Sequence, residues 1–233
     1  MTYQPEQDPM FQQPYIDREE PRERAGIPFS WVHGGFHGTD VRFSFCFPAQ
    51  EAYEGRFYQF LSPAPGPEEE LASLSPNRQG IEDQVRFALS HGAYFVESNM
   101  GAGSAFGAQQ DPTLLYRASA AVAEYSRQVA LARYGGGRPF GYVYGGSGGG
   151  YKTCACIEMT TAFDGAVPYV TAAPVALPNV MCVGDYAGRM LRRCRDWLAD
   201  AAEPGSTHDF RSGLNEEERA AFDEACAWGM PLE

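Results

Sequence analysis

One serine in this chain stands in a setting suited to covalent chemistry. The run Tyr142-Val143-Tyr144-Gly145-Gly146-Ser147-Gly148-Gly149-Gly150 contains G-x-S-x-G, with Gly145 and Gly149 two positions either side of Ser147. Residues 140–144 are compact and apolar and read as a buried strand, and residues 151–161 read as a helix. A nucleophile on a tight strand-to-helix turn sits in a strained backbone conformation. Its neighbours two residues away must be small, or they collide with adjoining elements. The hydroxyl would project over the carboxyl end of a sheet. The Gly148 N–H would lie at a helix N-terminus, where it can stabilise a developing oxyanion. That chemistry is acyl transfer. The competing reading is a glycine-rich turn in which Ser147 merely caps the helix.

The same glycines admit two further readings. Gly145 to Gly150 followed by Tyr151-Lys152-Thr153 resembles the phosphate loop G-x-x-x-x-G-K-[ST], but Tyr151 intrudes before the lysine and shifts its register. A dinucleotide fingerprint starting from Gly146 and Gly148 would need glycine at Tyr151. The spacing from Gly101 to Gly107 is looser still.

The elements around the serine follow from periodicity. Residues 30–36 and 41–47 are β-like; Val41, Phe43, Phe45 and Phe47 alternate against Arg42, Ser44 and Cys46, the pattern of a half-buried strand. Further strands are expected over 56–61, 94–96, 140–144 and 166–171, with helices over 81–90, 112–134 and 151–161. This alternation predicts an α/β domain with a mainly parallel sheet. Helices over 185–201 and 215–228 follow, joined by Glu203-Pro204-Gly205-Ser206, with no returning strand. Three regions are expected: an N-terminal extended arm (1–27), an α/β core (28–180) and a helical, lid-like segment (181–233). In the arm, Met10, Phe11, Tyr15 and Ile16 could dock on a surface or a partner, and a loosely held terminus is the plainer expectation.

Composition narrows the partners. The 233 residues are 44% hydrophobic, enough for a sizeable core without disulfides or metals. A net charge of -12 lacks the basic face that nucleic acids and anionic membranes require. The first thirty residues have no apolar signal core, and no apolar run is long enough to span a bilayer. Cys46, Cys154, Cys156, Cys182, Cys194 and Cys226 lack metal-ligand spacing. They read as reduced, structural thiols in a cytoplasmic protein. No metal or cofactor is expected. The expected partner is a small-molecule ester, and homo-oligomerisation stays open.

Residues 53–174 resemble the α/β-hydrolase serine esterases, with the tannase and feruloyl esterase group as a distant match. Tyr53-Glu54-Gly55-Arg56-Phe57 resembles that group's W-N-G-R-F strand, and Ser90-His91-Gly92-Ala93-Tyr94 its R-G-Y stretch. Tyr144-Gly145-Gly146-Ser147-Gly148-Gly149 resembles its nucleophile turn. Phe163-Asp164-Gly165-Ala166-Val167, with Ala173-Pro174, resembles its F-D-G-I-V…A-P stretch. The resemblance implies an α/β-hydrolase sheet with a helical cap and ester hydrolysis through an acyl-serine. Three features depart from it. The cysteine usual before the nucleophile is Gly146 here, D-x-G-H is replaced by Ser98-Asn99-Met100-Gly101, and a secretion signal is absent.

A serine esterase also needs a histidine base and an acid to orient it, in the chain order Ser, acid, His. Only His208 follows Ser147, in a polar loop, and Asp185, Asp196 and Asp200 could supply the acid without the spacing selecting one, Asp185 standing as the candidate. His33-Gly34-Gly35 has the form of a lipase oxyanion motif but lies early in the chain, where a glycine-rich hairpin is the plainer reading. The natural second oxyanion donor is the loop from Ser62 to Gly66. The expected site is therefore Ser147, His208 and Asp185, with Gly145, Gly146, Gly148, Gly149 and Ser62 at the elbow. Two accounts of the poor acid–base complement stay open: the chain is the N-terminal part of a longer hydrolase, truncated before the last strands, or a complete chain that has lost catalysis. A nucleotide-binding protein and a non-catalytic binding module of the same fold are the alternatives.

Overall fold

The computed structural model describes residues 2–63, 83–101, 111–171 and 177–228. The chain divides into two compact units, Met1–Ala172 and Ala173–Glu233.

The first unit is built on seven strands: β1 (Pro14–Arg24), β2 (Ile27–Phe36), β3 (Arg42–Pro48), β4 (Arg56–Phe60), β5 (Ala93–Ser98), β6 (Phe140–Gly146) and β7 (Gly165–Tyr169). Their order across the sheet is β1-β2-β3-β5-β4-β6-β7. The expectation of a mainly parallel sheet needs correction, because the sheet is mixed. The pairs β1/β2, β2/β3 and β3/β5 are antiparallel, while β5/β4, β4/β6 and β6/β7 are parallel. Connection length is the physical reason. Ala25 (φ 51) and Gly26 (φ 80) form a two-residue turn between β1 and β2, and turns this short join only antiparallel neighbours. From β4 onward each strand is followed by a helix, α1 (Gln84–Ser90), α2 (Leu114–Tyr134) or α3 (Gly148–Met159), which permits parallel crossovers.

The segment expected as an extended arm is extended and paired, since β1 runs along β2 as an edge strand. Its sequence hid this because charged side chains and Pro21 occupy positions where an inner strand would be apolar, which suits an exposed edge. Phe11 docks the segment, buried edge-to-face against Phe36 with ring centroids 5.1 Å apart.

Helices cover both faces of the sheet, so β3 is buried on both sides and not half-buried as its alternation suggested. On one face Phe43, Phe45, Phe57, Tyr94 and Val96 pack with the alanine-rich side of α2. On the other, Trp31, Cys46, Phe60 and Phe95 pack with Val85 and Leu89 of α1. Each buried aromatic contributes about 1.5–3 kcal/mol. Asp83 caps α1 by accepting the Arg86 N–H, and α2 stops at Gly135 (φ 69).

The second unit contains α4 (Leu177–Met190), α5 (Arg195–Ala202) and α6 (Glu216–Ala227) around Val183, Leu191, Leu214 and Phe222. The single helix expected over 185–201 is broken at 191–194, a turn that lets Leu191 and Cys194 both enter the core. The start of α6 is a capping box of Asn215 and Glu218. Among the described residues no helix is long and apolar enough to cross a membrane.

Candidate active site

Strand β6 ends at Gly146 and α3 begins at Gly148, leaving Ser147 alone on the turn with φ 56 and ψ -122. A serine with positive φ is strained by about 1–3 kcal/mol and persists only where its surroundings over-determine it. They do so at both ends. The Ser147 N–H donates to the Tyr169 carbonyl at 3.2 Å, and the Ser147 carbonyl accepts the Tyr151 N–H at 3.2 Å, opening α3. The side chain is exposed and makes no capping hydrogen bond to the helix. A capping serine has extended backbone and bonds the first-turn amides. Ser147 does neither, which removes the capping reading.

The glycines are required by neighbouring backbone. A Cβ on Gly145 would lie 2.7 Å from the Leu61 carbonyl oxygen, and one on Gly149 would overlap that oxygen outright. A Cβ on Gly148 would sit 3.3 Å from the Pro63 carbonyl oxygen. The Leu61-Ser62-Pro63 segment therefore passes directly over the elbow, continuing β4: the Leu61 N–H donates to the Tyr144 carbonyl at 2.9 Å. Ser62 is buried and its hydroxyl has no hydrogen-bond partner among the described residues. The rest of the loop named as an oxyanion source, through Gly66, lies outside the described residues, as does most of the Gly101–Gly107 loop. The Gly148 and Gly149 amides open α3, where first-turn N–H groups have no intrahelical acceptor and face an anion favourably.

Lys152 lies on the next turn of α3. Its ammonium donates to the Ser62 carbonyl at 2.8 Å and the Pro63 carbonyl at 3.2 Å. Burial lowers its pKa to about 8. Sequence reasoning considered this lysine only for phosphate; its being the sole lysine was the one available signal.

The histidines of the first unit are engaged away from Ser147. His33 is buried in β2 with Nδ1 2.6 Å from Asp17 Oδ1. It stands four strands from β6, roughly 19 Å at about 4.8 Å per strand. Its Gly34 permits the close approach of β1, since a Cβ there would lie 2.8 Å from Phe43 Cζ and overlap the Tyr15 carbonyl, so His33-Gly34-Gly35 is a hairpin feature. The His37 ring packs at a tilt against Tyr15, and His91 Nδ1 lies 2.7 Å from the Phe87 carbonyl. Ser147 Oγ makes no hydrogen bond to an imidazole among the described residues. In the second unit the exposed His208 ring stacks on Trp197, centroids 4.6 Å apart, and Asp185 pairs with Arg189 at 2.9 Å. His208 and Asp185 are not bonded to each other. No cluster of three metal-ligating side chains occurs among the described residues.

On the α1 side of β4, β6 and β7, Tyr58, Phe87, Tyr142, Tyr144, Val167 and Tyr169 line a cavity of about 470 Å³. Tyr142 and Tyr144 thus face a cavity.

No protein-family model matches the sequence, and no curated protein matches it. An esterase from Aspergillus oryzae superposes with a TM-score of 0.55 at 13% identity, over 91% of this chain and 53% of that protein. The fold is of the α/β-hydrolase type. Ser147 occupies the turn between β6 and α3. Two further structures align less closely. Tannin acyl hydrolase from Aspergillus niger has a TM-score of 0.49 at 14% identity, over 77% of this chain and 36% of that one. Acetyl xylan esterase from Paenibacillus sp. R4 has a TM-score of 0.45 at 15% identity, over 96% and 71%. The chain spans about half the length of the Aspergillus oryzae esterase.

Proposed function

We propose that this chain carries the nucleophile and oxyanion part of a carboxylic-ester hydrolase. Ser147 Oγ attacks the ester carbonyl, its proton passes to a base, and the tetrahedral oxyanion is held by N–H groups at the start of α3, with Gly148 the first of them. The alcohol leaves with a proton, and water later releases the acid from the acyl-serine. The observation that carries this reading is the strained φ of Ser147, fixed between Gly145 and Gly149 and not used for capping. The use of the Lys152 ammonium on Ser62 and Pro63 favours it over a nucleotide site, where that lysine would have to reach phosphate. The reading includes a cytoplasmic location, which six free thiols suit.

The test is intact-mass labelling with a fluorophosphonate beside a Ser147→Ala control. One adduct, lost in the control, is the expected result. A folded chain that takes no adduct would remove Ser147 as an activated nucleophile. The same measurement on His208→Ala and Asp185→Asn decides their roles: lost labelling assigns base or acid, and unchanged labelling withdraws them.

A further inference from the structure

Lys152 is the only lysine of the chain and is half-buried five residues after Ser147. Among the described residues its ammonium has no carboxylate partner and instead holds two successive carbonyls, those of Ser62 and Pro63. We propose that Lys152 is a positioning residue for the Ser147 site, fastening the Leu61-Ser62-Pro63 backbone against the elbow by holding the Ser62 and Pro63 carbonyl oxygens. This deepens the ester-hydrolase reading and rests on it.

Three observations converge. The segment is in van der Waals contact with the elbow along its length, the Leu61 carbonyl against Gly145 and Gly149 and the Pro63 carbonyl against Gly148. A free carbonyl swinging toward Ser147 would present a negative dipole end where an N–H is needed, and Lys152 ties down the two that follow Leu61. Finally, the charge works against stability. Burial holds the folded-state pKa of this amine near 8, below its ordinary value of 10.5. Between those values the unfolded chain binds the proton more readily, so stability rises with pH across that window and is reduced below it. A methionine of similar length would fill the space without that penalty. A charge kept under such a penalty points to the site, where stability and function commonly oppose one another.

The experiment compares wild type, Lys152→Met and Lys152→Arg in the full chain. Fluorophosphonate labelling rate, melting temperature and the backbone amide resonances of Ser62, Gly148 and Gly149 are read together. Lys152→Met is expected to label Ser147 about tenfold more slowly, to melt at the same temperature or higher, and to shift all three resonances, with Lys152→Arg recovering most of the rate. In the isotope-labelled wild type the single lysine ε-methylene should titrate together with those amides. Wild-type labelling by Lys152→Met overturns the proposal. So does a lost rate that accompanies a lower melting temperature and that arginine does not recover. If wild type takes no adduct, the ester reading fails, and the resonances alone decide the clamp: shifted amides keep it and unshifted amides remove it.

Discussion

The ring of Tyr169 occupies the space that a side chain at position 146 would need. A Cβ on Gly146 would lie 2.8 Å from Tyr169 Cζ and closer still to the ring edge. The same residue accepts the Ser147 N–H through its carbonyl. One residue of β7 thus holds the Ser147 backbone and fills with its ring the space beside the position before it. A cysteine at position 146, as the tannase and feruloyl esterase group carries before its nucleophile, would require the Tyr169 ring to move.

Gly146→Ala is accordingly expected to destabilise by about 1–3 kcal/mol, the usual cost of overpacking. Tyr169→Ala should recover part of that loss in the double variant, with a coupling of about 0.5–3 kcal/mol. Denaturant unfolding of the four proteins measures it. Additive losses would show that the ring moves aside freely.

Ser147→Gly should raise stability by about 1 kcal/mol, because glycine adopts φ 56 without strain. Ser147→Ala should give no such gain, since alanine keeps the Cβ. Both abolish labelling. Equal stabilities of the two variants, by thermal or denaturant unfolding, would mean that the turn is not strained.

Much of this was legible in the sequence. G-x-S-x-G between an apolar strand and a helix located the elbow, because steric demands on such a turn leave few residue choices. The alternation from β4 to β7 and α1 to α3 was readable for the same reason: helices and buried strands carry distinct periods. The antiparallel part was half hidden, since β1 is charged and exposed and reads as an arm. The roles of Leu61, Lys152 and Tyr169 were not legible. They meet the elbow or the segment over it from 86, five and 22 residues away, largely through backbone carbonyls that give or receive the contact, and backbone carbonyls leave no signature in residue type. The histidine and acid were not legible either, for chain order names His208 and Asp185 without placing them against a partner.

Glycine substitutions should separate packing from propensity. Gly149→Ala places a Cβ on the Leu61 carbonyl oxygen, which is backbone and cannot give way, and should cost about 1–3 kcal/mol with loss of labelling. Gly184→Ala, within α4 and with open space around it, should instead stabilise by about 0.4–1 kcal/mol. A stable, fully labelled Gly149→Ala chain would contradict the close approach of Leu61.

Acid should release the N-terminal segment from α2. Asp8 is buried and accepts hydrogen bonds from Arg117 at 2.7 and 2.9 Å, the Met10 N–H at 3.0 Å and the Tyr3 hydroxyl at 2.8 Å. Burial alone would raise its pKa, but these donors outweigh it and hold the carboxyl below its ordinary value. A carboxylate depressed in the folded state contributes stability that is complete above the unfolded value of about 3.9 and is lost as pH falls through the folded value. Asp8→Asn should therefore cost about 1.5–3 kcal/mol near neutral pH, where it weakens charge-assisted bonds to Arg117. The difference from wild type should shrink as acid, below the ordinary carboxylate value of 3.8, neutralises the wild-type carboxyl as well. Denaturant midpoints across that range measure it. A gap that stays constant with pH would show that Asp8 holds the segment by shape alone.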